Sequence, residues 1–287
     1  MARCLVTGNR GYIGSRLFKE LKRLGHDVIG IDLQSGKDVI EELHEFKDGS
    51  FLDKYQDFQP EFVFHMACWP RVGYSLEKPI KTMKNNVLAG SVVLNFARKW
   101  KSVKRVIYSS SSSVVGNGRG PTNPYALQKL TTEMETQIYS EVYDLDTVSL
   151  RYFNVYSEDQ NASGPYATAI AHWIHSVKND IEPYITGDGE QRRDMVHVED
   201  VVSANIFAMN CQEKFNGKVF DVGTGDNISL NEIKDIVLQH HDVRFNYTEA
   251  RPGEVMITKA KTQPLAQCGW TANISIKDGI TRCFNNE

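Results

Sequence analysis

Close to its start the chain passes from a short apolar run, residues 2–6, into three glycines at a fixed interval: Gly8, Gly11 and Gly14, spaced G-x-x-G-x-x-G. Residues without side chains allow a tight turn there, let a pyrophosphate approach the backbone, and let the next helix pack closely on the strand. A purely structural turn needs glycine for the same steric reason, so the surroundings decide. Ile13, Leu17, Leu21 and Leu24 follow at helical spacing. The pattern is strand, glycine turn, helix. Residues 28–31 then read as a second strand that ends at Asp32. A carboxylate in that place can accept hydrogen bonds from an adenosine ribose and repel a 2'-phosphate. The combination predicts a dinucleotide site that takes NAD rather than NADP, with Asp38 and Val39 beside the adenine.

Further strands are expected at 62–65, 103–109 and 147–150, with helices over 81–100 and 125–143 among them. Strands alternating with helices through short loops argue for the α/β class, a doubly wound parallel sheet covered on both faces. After Asn154 the pattern loosens around the turn clusters Gly187-Asp188-Gly189, Gly223-Thr224-Gly225 and Arg251-Pro252-Gly253. The expected division is residues 1–154 and a smaller domain, 155–287, from which some later segments return to the first. A chain of 287 residues has ample volume for a core. Its net charge of -3 leaves no electrostatic footprint for a nucleic acid. Five scattered cysteines without a C-x-x-C pair read as reduced thiols, and no metal site is expected. The glycines come too early for a secretory signal, and no apolar run reaches the ~18 residues of a membrane helix. A soluble, cytoplasmic protein is the expectation.

Asn123-Pro124 makes a sound helix start, with Asn as cap and Pro in the first turn. Tyr125 and Lys129, four residues apart, then share one helical face. A phenol titrates near ~10, so a base useful at neutrality needs a shift of about 3 units, roughly 4 kcal/mol of preferential stabilisation of the phenolate. A lysine ammonium and a nicotinamide cation have the sign of charge required. Tyr and Lys at this spacing are common; the stretch before them is not. VIYSSSSS, residues 106–113, runs a strand into five serines at the carboxyl edge of the sheet, where open parallel sheets bind ligands. Composition leaves open which serine matters, and a solvated loop would use the same residues.

Taken together the chain resembles the extended short-chain dehydrogenase/reductase family, in its NAD-dependent nucleotide-sugar epimerase and dehydratase branch, and most of all the UDP-hexose 4-epimerases. The resemblance spans nearly the whole chain: TGNRGYIG, FHMACWPRVGYS, NNVLAG, VIYSSSSSVVG, PYALQK, RYFNVYS, GDGEQRRDMVHVEDVV and RPGE occur in the family's order. It implies a Rossmann sheet with a C-terminal α/β substrate domain, and NAD as cofactor. Gly8, Gly11, Gly14 and Asp32 are implied as NAD ligands, with Ala67, Asn86, Tyr125, Lys129 and Tyr152 lining the cofactor. Ser111, counted back from Val114-Val115-Gly116, is implied as the catalytic Ser/Thr beside Tyr125 and Lys129. Asn154, Arg193, Arg251 and Glu254 match positions that hold the diphosphate and nucleotide ribose of the substrate, chemistry that suits guanidinium donors and a carboxylate acceptor. His65 and His197 read as strand-end histidines with structural hydrogen bonds.

Within the branch, dehydratases carry Asp-Glu after the catalytic Ser/Thr, because eliminating water needs an acid and a base, and related decarboxylases keep the glutamate. Ser112 and Ser113 stand here instead. Epimerisation at carbon 4 is therefore expected, on a UDP-linked glucose/galactose pair or its N-acetyl forms, with 4,6-dehydratase, 4-ketoreductase and non-catalytic dinucleotide sensor as the alternatives. Thr258 aligns with a position whose size limits the 2-substituent of the sugar. The stretches 33–64 and 112–124 are short for the family, and its helices corresponding to 81–100 and 125–143 imply a homodimer.

Overall fold

The computed structural model describes residues 1–162, 168–250 and 255–285. Its centre is a six-stranded sheet built from β1 (Arg3–Thr7), β2 (Asp27–Ile31), β3 (Phe62–His65), β4 (Arg105–Ser111), β5 (Thr147–Tyr152) and β6 (Lys218–Val222). Their order is β6-β5-β4-β3-β1-β2. β1 pairs in parallel with β2 and with β3, so that Leu5 stands between Ile29 and Val63, and β3 pairs in parallel with β4, Val63 beside Val106. The chain leaves β1 in one direction to make β2, then returns to make β3 on the other side. That reversal opens a crevice at the carboxyl ends of β1 and β3, the usual place for a ligand in a doubly wound sheet.

The doubly wound expectation holds, with instructive differences. α1 (Tyr12–Arg23) buries Gly14, Leu17 and Leu21, but it ends at Arg23. Leu24 is consequently the C-cap and 44% exposed, outside the apolar stripe in which its spacing placed it. β4 starts two residues later than expected and runs on to Ser111: the backbone N–H of Val103 turns back to the Trp100 carbonyl, and Ser109 and Ser110 are buried strand residues. The expected helix over 81–100 is three segments. Pro79–Met83 and Ala89–Lys99 are α-helical, and Lys84–Leu88 between them is a π-helical turn. Such a turn accommodates one surplus residue, and π turns often stand at functional sites. β6 has no counterpart in the expected strands.

Two compact units emerge from the packing: Met1–Val115, Arg119–Arg151 and Val202–Phe220 form one, Gly116–Gly118, Tyr152–Val201 and Asp221–Glu287 the other. In the first, Leu5, Ile31, Val63 and Val106 from the sheet pack with Val93, Phe96 and Ala97 of Ala89–Lys99, and with Phe51 and Tyr55. In the second, Trp173 and Ile174 of Ala169–Lys178 join Ile233, Val237, Ile280 and Phe284 in a core of its own. Among the described residues no helix is long and apolar enough to cross a membrane, and no group of His, Cys, Asp and Glu is placed to hold a metal ion.

Candidate active site

Gly8 closes β1 in the left-handed region, at φ +72°, with its N–H on the Ile31 carbonyl at 2.7 Å. A Cβ on Gly8 would fall 2.7 Å from the backbone nitrogen of Ala67, and one on Gly14 would fall 2.1 Å from the Gly8 carbonyl oxygen. Neither position has room for a side chain, so the turn presents bare backbone. α1 begins from Gly11, which offers no side-chain cap to the first N–H groups, and no acidic residue occupies its first turn. This is the arrangement of a helix start that receives an anion.

The Asp32 carboxylate sits at the end of β2, accepting from the backbone N–H of Arg10 at 2.8 Å and of Gln34 at 2.9 Å. Each oxygen keeps a second lone pair for a hydroxyl. Asp38 accepts from the Ile40 N–H at 2.8 Å and caps the short helix Val39–Glu42. At the reversal point the ends of β1 and β3 are tied together: the Ala67 N–H donates to Thr7 Oγ1 at 3.2 Å, and Thr7 Oγ1 meets His65 Nδ1 at 2.8 Å. Burial, reinforced by the Lys129 charge, brings the His65 pKa down to about 3. His65 Nε2 is buried without a partner.

Asn86, in the π-helical turn, spends its side chain on its surroundings. Its Oδ1 accepts the Trp69 N–H at 2.7 Å, and its Nδ2 donates to the Trp69 carbonyl and to Gln128 Oε1. It thereby clamps the segment that follows Ala67. No sequence signal distinguishes that task from direct contact with a ligand.

Asn123 caps helix Pro124–Tyr143 through its bond from the Ala126 N–H at 3.0 Å, and the Tyr125 N–H donates to Ser75 Oγ at 3.1 Å. Tyr125, Lys129 and Glu133 then recur every fourth residue on the buried side of this helix. Lys129 donates its Nζ to the Ser109 carbonyl at 2.5 Å and lies over the Tyr108 ring. Burial pushes the Tyr125 phenol well above its ordinary value, Cys68 adds to the push, and the hydrogen bond from the Ser111 side chain pulls it back. The structure thus brings Ser111, Tyr125 and Lys129 to one place at the end of β4. Ser110 is engaged elsewhere, donating to Glu133, and Glu133 also receives Nε and Nη2 of Arg151 at 2.8 and 2.7 Å. Neither Glu133 nor Arg151 figures in the sequence reading; the repeat of Tyr125 and Lys129 four residues on was the available signal.

In the second unit, Asp194 is fully buried and organises the candidate substrate residues. Its carboxylate accepts from the N–H groups of Thr224, Gly225 and Ala260 at 2.9–3.0 Å. Its backbone carbonyl takes Asn154 Nδ2 at 2.6 Å, and its N–H donates to Thr258 Oγ1 at 3.1 Å. Asn154, Arg193 and Thr258 are gathered there, with Arg193 partly exposed and its Nη1 on the Arg192 carbonyl at 3.1 Å. Arg192, by contrast, is consumed by the fold: it donates to the side chain and backbone of Asn227 and pairs with Glu232 at 2.8 Å. Tyr152 and Phe153 are buried, and His197 ends a short strand with Nε2 3.1 Å from Glu158. Arg251 and Glu254 lie outside the described residues.

A model of the NAD dependent epimerase/dehydratase family matches residues 4–223. A putative UDP-glucose 4-epimerase of Methanocaldococcus jannaschii is 33% identical over 302 residues, covering 98% of this chain and 97% of its own. Among solved structures, the UDP-N-acetylglucosamine 4-epimerase of Methanobrevibacter ruminantium, in complex with UDP-N-acetylmuramic acid, superposes with a TM-score of 0.87 at 27% identity, over 99% of this chain and 97% of that one. The UDP-glucose 4-epimerase of Thermotoga maritima, with UDP-glucose, gives 0.86 at 28% identity over 98% and 97%.

Proposed function

The chain belongs to the NAD dependent epimerase/dehydratase family, and from that premise we propose that it is an NAD-dependent nucleotide-sugar 4-epimerase, interconverting UDP-glucose and UDP-galactose or their N-acetyl forms through a 4-keto sugar. The observation that carries the reading is the meeting of Ser111, Tyr125 and Lys129 at the end of β4, followed by Ser112 and Ser113 where elimination would need carboxylates. The cradle of Gly8, Gly11 and Gly14, the bare start of α1 and the Asp32 carboxylate fit the pyrophosphate and adenosine ribose of NAD. We assign Ala67 and Tyr152 to its nicotinamide side, Asp38 to its adenine side, and Asn86 to the support of that surface.

NAD, if held by Gly8, Gly11, Gly14 and Asp32, would supply a reversible hydride acceptor, which is what inversion at carbon 4 without net redox change requires. Tyr125 removes the proton of the 4-hydroxyl and later gives it back. Ser111, assigned to the edge of the site that meets the substrate, donates to the phenol, and Lys129, fixed on the Ser109 carbonyl, supplies positive charge beside them. The first unit is assigned the dinucleotide and the second the nucleotide sugar, whose diphosphate and ribose fall to Asn154, Arg193, Arg251 and Glu254. The side chain of Thr258, hydrogen-bonded to Asn154, is small enough to admit a 2-acetamido group.

The test is NMR of UDP-glucose, UDP-galactose and their N-acetyl forms incubated with the NAD-loaded protein and no reductant. Inversion at carbon 4 is expected. Accumulating 4-keto-6-deoxy sugar would show a dehydratase, stoichiometric NADH consumption a reductase, and unchanged sugars with bound dinucleotide a sensor. Thr258→Tyr should abolish turnover of the N-acetyl sugars and spare UDP-glucose; equal exclusion of UDP-N-acetylglucosamine by both proteins would refute that role.

The partner we assign is a second copy. Helix Pro124–Tyr143 exposes Leu127, Met134, Ile138 and Val142 at helical spacing, and Ile80, Met83 and Leu88 are exposed on the segments before Ala89. Apolar stripes on two helices suit a bundle with the same two from another chain. Light scattering should give twice 32.5 kDa, and Ile138→Glu should halve it. The reading places the protein in the cytoplasm, in keeping with five cysteines that are all unpaired thiols.

A further inference from the structure

We propose that Ser113 is a positioning residue for proton transfer: it fills the acceptor side of the Ser111 hydroxyl and so commits the Ser111 hydrogen to Tyr125. The inference rests on the reading above, in which Tyr125 exchanges the proton of the sugar hydroxyl.

A serine hydroxyl has one hydrogen to donate and two lone pairs to accept with. At Ser111 both lone pairs have donors, and both come from one residue. The Ser113 backbone N–H reaches Ser111 Oγ at 3.2 Å, and the Ser113 hydroxyl donates to the same oxygen at 3.0 Å. The geometry arises locally. β4 ends at Ser111, and the 3-10 turn that begins at Ser112 folds the chain back, bringing residue 113 under residue 111. With its oxygen saturated, Ser111 interacts with the Tyr125 phenol as a donor. A hydrogen bond donated to a phenol oxygen favours the phenolate, whereas one accepted from the phenol favours the neutral form. The direction of a single hydrogen thus sets whether Ser111 helps Tyr125 to act as a base or hinders it.

The position gives the idea its edge. A glutamate at 113, as the elimination chemistry of the sequence argument would require, is an acceptor when ionised, and would draw the Ser111 hydrogen towards itself. Serine does the reverse. Ser113 is then more than the absence of a carboxylate: it is a hydroxyl that orders the hydrogen bonds Ser113 to Ser111 to Tyr125 in one sense.

The experiment titrates Tyr125 in the NAD-loaded protein, without sugar, from the tyrosinate absorbance that each protein shows over its own Tyr125→Phe derivative. Ser113→Ala should raise the Tyr125 pKa by about 0.5–1 unit, and a unit is tenfold in the phenolate fraction on the acid side. kcat for UDP-hexose should correspondingly fall three- to tenfold on the acid limb of the pH profile and rejoin the wild type at high pH, with KM unchanged. Ser113→Thr, which keeps the hydroxyl, should restore both. In a Ser111→Ala background, Ser113→Ala should add nothing. The proposal is overturned if Ser113→Ala titrates as wild type, if its kcat loss is the same at every pH, if Ser113→Thr fails to rescue, or if the two alanines act additively. Because the titration uses no sugar, a wild type inert to every UDP-hexose would sink the epimerase reading, while the effect of Ser113 on the Tyr125 pKa would still stand or fall by itself.

Discussion

The two ends of β4 carry the same kind of bond and put it to different use. At the amino end, Arg105 is buried with Asp146, Nε to Oδ2 at 2.6 Å, and its remaining donors reach the carbonyls of Ala208, Cys211 and Glu213. Asp146 in turn accepts the N–H groups of Phe215 and Asn216. Every hydrogen-bond partner is main chain or the opposite charge, and the guanidinium lies over the Phe215 ring, so this pair splices the segment before β6 onto the sheet. At the carboxyl end, Glu133 and Arg151 make an ion pair at 2.7 Å, but the glutamate also holds Ser110, the neighbour of Ser111, and follows Lys129 on its helix. One pair is isolated from the chemistry. The other shares its residues with the chemistry's supports.

The contrast can be broken by experiment. Tyr125→Phe should cost kcat about 10³-fold, as loss of a general base does, and leave the unfolding midpoint in place. Arg105→Ala should do the opposite, removing about 3–5 kcal/mol of stability by stranding Asp146, with kcat per folded molecule unchanged. A kcat loss in folded Arg105→Ala protein would join the two ends and end the distinction. A third effect belongs to the carboxyl edge alone. His65 has an ordinary pKa of 6.5 and a folded value of about 3, so below pH 6.5 the unfolded chain takes a proton that the folded one refuses. Stability therefore falls as pH drops through that window, by about 1.4 kcal/mol per unit. Denaturant titrations from pH 7 to 5 should show a loss of about 2 kcal/mol that His65→Gln largely lacks; equal slopes would refute it. The smallest effect is expected for Glu133→Gln, about tenfold in kcat together with about 1–2 kcal/mol in stability, since it weakens the tie to Ser110 and Arg151 at once. A change in only one of the two would assign Glu133 to one role.

The same contrast explains what could be read in the sequence. Gly8, Gly11 and Gly14 with α1, and Tyr125 with Lys129 on a capped helix, are local: spacing of 3 or 4 residues decides them, and the structure places them as expected. Ser111 is ambiguous in the sequence because serine has little preference between strand and loop, and a run of five erases the boundary that the buried strand residues Ser109 and Ser110 mark in the structure. β6 escaped notice because it enters the sheet 66 residues after β5, beyond any local pattern, and is spliced there by Arg105 and Asp146. Glu133 continues the four-residue repeat of Tyr125 and Lys129, but the repeat does not tell what it meets. A buried carboxylate on a helix reads as a surface charge until a strand arginine 18 residues away is seen to meet it.

The π turn at Lys84–Leu88 has a further consequence. A wheel drawn straight through 79–99 at 100° per residue puts Ile80 and Leu88 roughly 80° apart; absorbing one residue brings them to roughly 20°. The turn therefore works as a phase shifter between two stretches of helix, aiming Asn86 inward at Trp69 while the apolar side chains on either side keep a common bearing. Deleting one residue from that turn would leave a plain α-helix with Ile80 and Leu88 still on their common bearing, and what would go is the inward reach of Asn86 to Trp69 that the surplus residue provides. An insertion elsewhere in 79–99, with no such turn to absorb it, would swing everything beyond it by about 100°.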